Sequence, residues 1–138
     1  MVVNDLLFLD ANYVVGLEVS DDQHHHDARQ HWTKYLESPR PLVTTSYVFD
    51  EVVTFLNNKR QHAKAVSVGS NLLTASTIQM IHVDESLFYE GWQYFEQHAD
   101  KTYSLTDCIS FVLMTRLGIV EALTFDKHFL QAGFVKLP

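Results

Sequence analysis

Apolar residues in this chain gather in two kinds of run. Five short ones, Leu6 to Asp10, Leu42 to Thr45, Ile78 to Val83, Glu121 to Phe125 and Phe134 to Leu137, have the length of buried strands. The longer ones repeat at three- and four-residue spacings. Ala28, Trp32, Tyr35 and Leu36 predict a helix over Asp22 to Leu36, and Ser38-Pro39-Arg40-Pro41 breaks it. Tyr47 to Arg60 reads as the next helix, with Ser46 as its expected N-cap. Ala63 to Thr74 follows. Asp84 is the expected cap of a helix from Glu85 to Gln97 that carries Leu87, Phe88, Trp92 and Phe95. Leu105 to Leu117 is the most apolar helix, and Gly118 is its stop signal. Strands that alternate with helices predict an α/β fold, a three-layer α/β/α sandwich around a mainly parallel sheet. No repeat or linker divides residues 1–138, so a single domain is expected.

Four acids stand at the edges of these elements. Asp10 ends the first strand, and Asp126 follows Leu123-Thr124-Phe125. Glu51 borders the apolar side of its helix, and Asp107 opens the helix from Leu105. A lone acid at a core edge is costly unless paired, hydrogen-bonded or bound to a cation. In open α/β sheets ligands sit beyond the carboxyl ends of the strands, near a topological switch. Two of the acids fall at strand ends and two in early helical turns, so all four can share that edge. Helical geometry also separates neighbours. At about 100° per residue, Glu51 shares a side with Tyr47, Val48 and Phe55, whereas Asp50 falls with Ser46, Thr54 and Asn57 on the solvated side.

Each acid has an ordinary reading as well. Ser104-Leu105-Thr106-Asp107 fits a capping box, in which Asp107 satisfies the helix start. Glu51 would serve as a boundary residue paired with a lysine or arginine. Asp10 would serve as a turn acid, and Asp126 as a cap for the segment 127–130. The tract His24-His25-His26 reads as a loop or first helical turn, because adjacent histidines on a helix point different ways. His62, His82, His98 and His128 are scattered. No HExxH, paired cysteines, GxxxxGK[ST], GxGxxG or GxSxG occurs, which leaves zinc-protease, nucleotide-cradle and nucleophile-elbow chemistry without support.

Composition narrows the class. Hydrophobic residues make up 46% of 138, enough for a real core. The formal charge of −7 argues against gripping nucleic acid with a broad basic surface. It leaves open an enzyme that meets phosphate through bound cations. No apolar run approaches the ~20 residues of a membrane span. Met1-Val2-Val3-Asn4-Asp5 lacks the basic region of a signal peptide, and the single Cys108 suits a reducing compartment, so a cytoplasmic protein with no membrane partner is expected.

These residues resemble a family, the PIN-domain nucleases, and in particular the VapC-type toxins of toxin–antitoxin pairs. Phe8-Leu9-Asp10-Ala11-Asn12 is similar to the family's opening motif. Thr44 to Glu51 resembles the segment with the second acid, Ser104 to Asp107 the third-acid motif, and Leu123 to Phe129 with Ala132-Gly133-Phe134 the end of the domain. One departure is visible: many relatives carry a further acid a turn after the third, and Phe111 stands there. The resemblance implies a metal-dependent ribonuclease that leaves a 5′-phosphate. It implies Mg²⁺ or Mn²⁺ held by Asp10, Glu51, Asp107 and Asp126, with Asn12, Ser104 and Thr124 orienting the carboxylates. It also implies an RNA substrate, an antitoxin partner and a homodimer, for which aromatics near Trp32 or Trp92 are the expected contacts. A PIN enzyme of RNA processing without an antitoxin, and a catalytically silent RNA-binding module, are the alternatives. A haloacid-dehalogenase-like phosphatase would need an acid where Asn12 stands.

Overall fold

The structure is a computed structural model that describes residues 5–138. Met1 to Asn4, most of the segment read for a leader, lie outside the described residues. Five strands, β1 Leu7–Leu9, β2 Leu42–Thr45, β3 Ile78–Ile81, β4 Glu121–Leu123 and β5 Val135–Leu137, form one sheet in the order β3-β2-β1-β4-β5. All neighbours run parallel; Phe8 lies opposite Val43 on one side and Ala122 on the other. Parallel sheets are covered on both faces, and β1, β2 and most of β4 are accordingly buried. Seven helices among the described residues complete the α/β/α layers: α1 Ala11–Glu18, α2 His25–Glu37, α3 Ser46–Asn58, α4 His62–Thr74, α5 Glu85–Gln97, α6 Leu105–Leu117 and α7 His128–Gln131. Helix α1 packs against α2 and α3, α3 against α4, and α5 against α6. None is long and apolar enough to cross a membrane.

Chain order now places the site. From β1 the chain steps outward to β2 and β3, then returns to the far side of β1 as β4. The switch therefore lies between β1 and β4, the crevice in which such sheets hold ligands. Asp10 follows β1 and Asp126 follows β4.

Helices α5 and α6 have their expected bounds. Asp84 accepts the Leu87 N–H at 2.8 Å, and Gly118 closes α6 in the left-handed conformation, φ 67°. The remaining differences have local causes. Helix α1 was not expected, because Ala11, Tyr13, Val14 and Val15 are all buried and no polar face marks a period. Ser46 does not cap α3. Thr45 holds the extended cap geometry and accepts the Val48 N–H at 3.1 Å, while the Ser46 hydroxyl accepts the Val83 N–H at 2.9 Å. The fourth strand stops at Leu123 rather than Phe125, since Thr124 turns the chain by accepting the Asp126 N–H at 3.0 Å. Helix α2 starts at His25, later than Asp22, after a turn in which Asp22 accepts the His24 N–H at 2.9 Å.

The α5–α6 pair approaches so closely at Gly91 that an added Cβ would overlap Ile109 Cγ1 and stand 3.2 Å from the Ile109 Cα, a backbone atom. Gly91→Ala is therefore expected to lower stability by roughly 1–3 kcal/mol, measured by urea unfolding, despite alanine's better helix propensity.

Candidate metal centre

Backbone pairing fixes the first acid. The Asp10 N–H donates to the Leu123 carbonyl at 3.1 Å, and Thr44 Oγ1 donates to the Leu9 carbonyl at 2.7 Å, so the end of β1 is held from both neighbouring strands. Asp10 is 5% exposed. Its Oδ2 accepts the Thr124 hydroxyl at 2.7 Å. Thr124 is fully buried and has one proton to give, so its 3.2 Å approach to Asn12 Oδ1 is the weaker contact. Asn12 Oδ1 accepts the Phe125 N–H at 3.1 Å instead, which ties the start of α1 to the turn after β4.

The other acids arrive on helices. Asp107 and Ser104 form the capping box: the Asp107 N–H reaches Ser104 Oγ at 3.0 Å, and the Ser104 N–H reaches Asp107 Oδ2 at 3.1 Å. Asp126 accepts the His128 N–H at 2.9 Å and so opens α7. Glu51 is exposed as a residue, but its carboxyl lies beside the Thr106 side chain on α6 and feels the charges of Asp107 and Asp126. Asp50 is exposed and receives the Thr54 hydroxyl at 3.2 Å, as the helical spacing implied.

Electrostatics records the convergence. Burial pushes the Asp10 carboxyl up to about 7, with the charges of Asp107 and Glu51 adding and the bonds from Thr124 and the Ala11 N–H opposing. Burial likewise raises Asp107, with Asp126 adding and Ser104 and His128 opposing. Loss of water raises Glu51 against the pull of the polar Thr106 side chain, with Asp107, Asp50 and Asp126 adding to the rise. Among the described residues no lysine or arginine pairs with any of the four acids, so the boundary ion pair considered for Glu51 is absent. A cavity of about 340 Å³ opens beside Glu51, lined also by Asn12, His24 and Phe55.

One participant was missed. His128, which read as a scattered histidine, places Nδ1 3.2 Å from Asp126 Oδ1 and 3.4 Å from Asp107 Oδ2. The donor atoms of Asp107, Asp126 and His128 all lie within 4.8 Å of one another. The signal available was its position two residues after Asp126. The His24-His25-His26 tract does not group in this way. His24 stacks on Phe125 with ring centres 4.3 Å apart, and His25 Nδ1 donates to the Gly16 carbonyl at 2.8 Å. Phe111, in the place of the further acid, is 1% exposed and packs edge-on against Phe129.

Hard oxygen donors of this kind suit divalent cations, and the buried Nδ1 of His128, which faces Asp107 and Asp126 without an aligned hydrogen bond, fits the same chemistry. Comparison with known proteins agrees. The model of the PIN domain family matches residues 7–135. The 23S rRNA-specific endonuclease VapC20 of Mycobacterium tuberculosis is 30% identical over 132 residues, 96% of this chain and 98% of that protein. The crystal structure of VapC20, described as a sarcin–ricin-loop-cleaving toxin, matches with a TM-score of 0.86 at 28% identity, covering 95% of this chain and 98% of that one. FitAcB from Neisseria gonorrhoeae matches with a TM-score of 0.64 over 96% of each chain; at 13% identity it shares the fold alone.

Two outcomes are expected. Asp10 has an ordinary value of 3.8 and a folded value of about 7. The fold therefore binds the extra proton between these pH values, and stability from this group is full below about pH 4 and is lost as pH rises through 7. In chelator, urea unfolding should show the protein less stable at pH 8 than at pH 5, Asp10 contributing roughly 2–4 kcal/mol of the difference. Asp10→Asn should remove most of that slope. Thr124→Val, which keeps the shape but gives Asp10 no proton, should weaken divalent-cation binding by roughly 10–100-fold in calorimetric titration.

Proposed function

The chain belongs to the PIN-domain family, and on that premise we propose that it is a divalent-metal-dependent endoribonuclease, the toxin of a toxin–antitoxin pair. The observation that carries the mechanism is the elevation of Asp10, Glu51 and Asp107, through burial first and like charge second, with no lysine or arginine among the described residues paired to them. Asp10, Glu51, Asp107 and Asp126 would hold Mg²⁺ or Mn²⁺. A cation held there supplies Lewis acidity to the phosphate and lowers the pKa of water beside it. The chain's own groups supply position. Thr124 fixes the rotamer of Asp10, Ser104 holds one oxygen of Asp107, and Asn12 locks the turn that carries Asp126. These bonds keep the carboxylates aimed before substrate arrives, which is what outer hydrogen bonds do for metal ligands. A cation held by these acids would offset their charge, so the −7 of the chain would be no obstacle to a substrate phosphate.

Structured ribosomal RNA is the substrate class that the likeness to VapC20 supports. Hydrolysis of one phosphodiester by water would leave a 5′-phosphate on the downstream fragment. The phosphatase alternative loses ground, because the Asn12 side chain is committed to the Phe125 N–H and the Thr124 contact. An antitoxin would find an apolar groove of about 420 Å³ between α3 and α4, where Phe49, Val53, Val66 and Leu73 meet. For a homodimer, Trp92 is 44% exposed and stacks on exposed Phe95, whereas Trp32 is half-buried against Tyr13 and Tyr35. The cytoplasm, where ribosomal RNA and reduced Cys108 coexist, is the proposed location.

The test is cleavage of intact ribosomes and of an isolated sarcin–ricin hairpin by the purified chain in Mg²⁺, in Mn²⁺ and in chelator. Cleavage is expected with either ion, and Asp10→Asn is expected to lower its rate by at least ~100-fold. Cutting that survives chelator, or that proceeds at the same rate in Asp10→Asn, would falsify the mechanism. Cutting confined to other RNAs would reassign the substrate.

A further inference from the structure

We propose that His128 is a direct nitrogen ligand of the metal centre, so that its Asp107–Asp126 side is a mixed nitrogen–oxygen site selective for Mn²⁺ over Mg²⁺. The inference rests on the metal-dependent reading above and adds to it a donor outside the four acids.

Three observations carry it. The first is the orphaned atom. His128 Nδ1 is buried with no hydrogen-bond partner, although Asp126 Oδ1 and Asp107 Oδ2 stand only 3.2 and 3.4 Å away. A divalent cation between that nitrogen and the two carboxylate oxygens would satisfy all three. The second is a tautomer that the surroundings permit. Nε2 lies 3.1 Å from the Thr102 hydroxyl. If Nε2 carries the hydrogen and donates to Thr102, the lone pair falls on Nδ1 and points at the acids. A ligating histidine is commonly oriented by such a bond from its other nitrogen.

The third observation is spacing. Neighbouring ligands at right angles, each about 2.1–2.4 Å from an ion, stand about 3.0–3.4 Å apart. The two separations from Nδ1 fall in that range. The ring is also held in place: Tyr103 packs edge-on to it with centres 5.4 Å apart, and the His128 N–H is fixed on Asp126.

Donor chemistry gives the consequence. Mg²⁺ takes oxygen ligands and keeps its waters, whereas imidazole suits transition metals. A nitrogen donor on one side of an acidic centre therefore shifts preference toward Mn²⁺ without excluding Mg²⁺.

The test is spectroscopic. Mn²⁺ alone is titrated into the full chain and into His128→Gln and His128→Phe. Glutamine keeps a polar group toward Thr102, and phenylalanine keeps the packing on Tyr103; circular dichroism verifies that each folds. Affinity is read from the free-Mn²⁺ paramagnetic resonance signal, ligation from the ¹⁴N coupling of a bound imidazole, and Mg²⁺ affinity by competition. The expected result is ¹⁴N coupling in the parent chain that is absent from both variants. Mn²⁺ binding should be weaker by ~10-fold or more and Mg²⁺ binding nearly unchanged. Mn²⁺ that binds the parent chain without ¹⁴N coupling overturns the inference and leaves the acid centre standing. Variants that keep the coupling, or that bind Mn²⁺ as tightly or more tightly, overturn it in the same way. Failure of Mn²⁺ to bind the parent chain overturns both the inference and the reading beneath it.

Discussion

Thr124 gives its one hydroxyl proton to Asp10 and takes the N–H of Asp126 on the same oxygen, at 2.7 and 3.0 Å. That pair of bonds spans the switch point of the sheet. It sets where β4 ends, how the chain turns toward α7, and which way the most buried acid faces. The dependence runs in both directions. Thr124 occupies this point only because β4 pairs with β1 in the register that puts Leu123 beside Leu9. A slip of one residue would turn the hydroxyl to the other face. The acid centre is therefore specified by strand pairing before any cation is considered.

The arrangement is not one that stability alone would select. Burial and like charge raise Asp10 and Asp107 together, and such groups hold protons at a cost to the folded state near neutral pH. The core beneath offsets this. Phe8, Tyr13, Phe111 and Phe129 are essentially buried, and each is worth about 1.5–3 kcal/mol of transfer free energy or more. Phe8 and Phe129 also approach each other beneath the site, with ring centres 6.1 Å apart. The acids thus sit on a rigid floor and cannot relax apart cheaply.

What was legible in the sequence follows from how each signal is encoded. Helix α5 was read with its cap and both ends because Asp84 and the spacing of Leu87, Phe88, Trp92 and Phe95 are local. Glu51 was separated from Asp50 for the same reason, since helical angle decides it. Helix α1 was hidden because its residues are buried on most sides, and period carries no information when no face is wet. Thr45 took the cap from Ser46 because a distant partner, the Val83 N–H, claims the serine hydroxyl. His128 was passed over for a related reason. Its place two residues after Asp126 is the one local sign that sets it apart from His62 or His82, and its meaning arises only when α7 folds beside the start of α6.

Phe111 and His128 belong to one arrangement. On α6, a turn beyond Asp107, the family resemblance leads to the expectation of a further acid, and here Phe111 turns inward instead. Its ring meets Phe129 edge-on at 4.9 Å and stacks with Phe134 at 5.6 Å. Phe129 is the residue after His128 on a helix of only one turn. A helix this short gains little from its own hydrogen bonds and takes its orientation from what it packs on. The aromatic contact that replaces an oxygen donor on α6 is therefore the contact that seats α7 and turns His128 toward Asp107 and Asp126. In physical terms an aromatic ring stands on α6 where a carboxylate would have added to the repulsion, and its packing brings the His128 nitrogen beside Asp107 and Asp126.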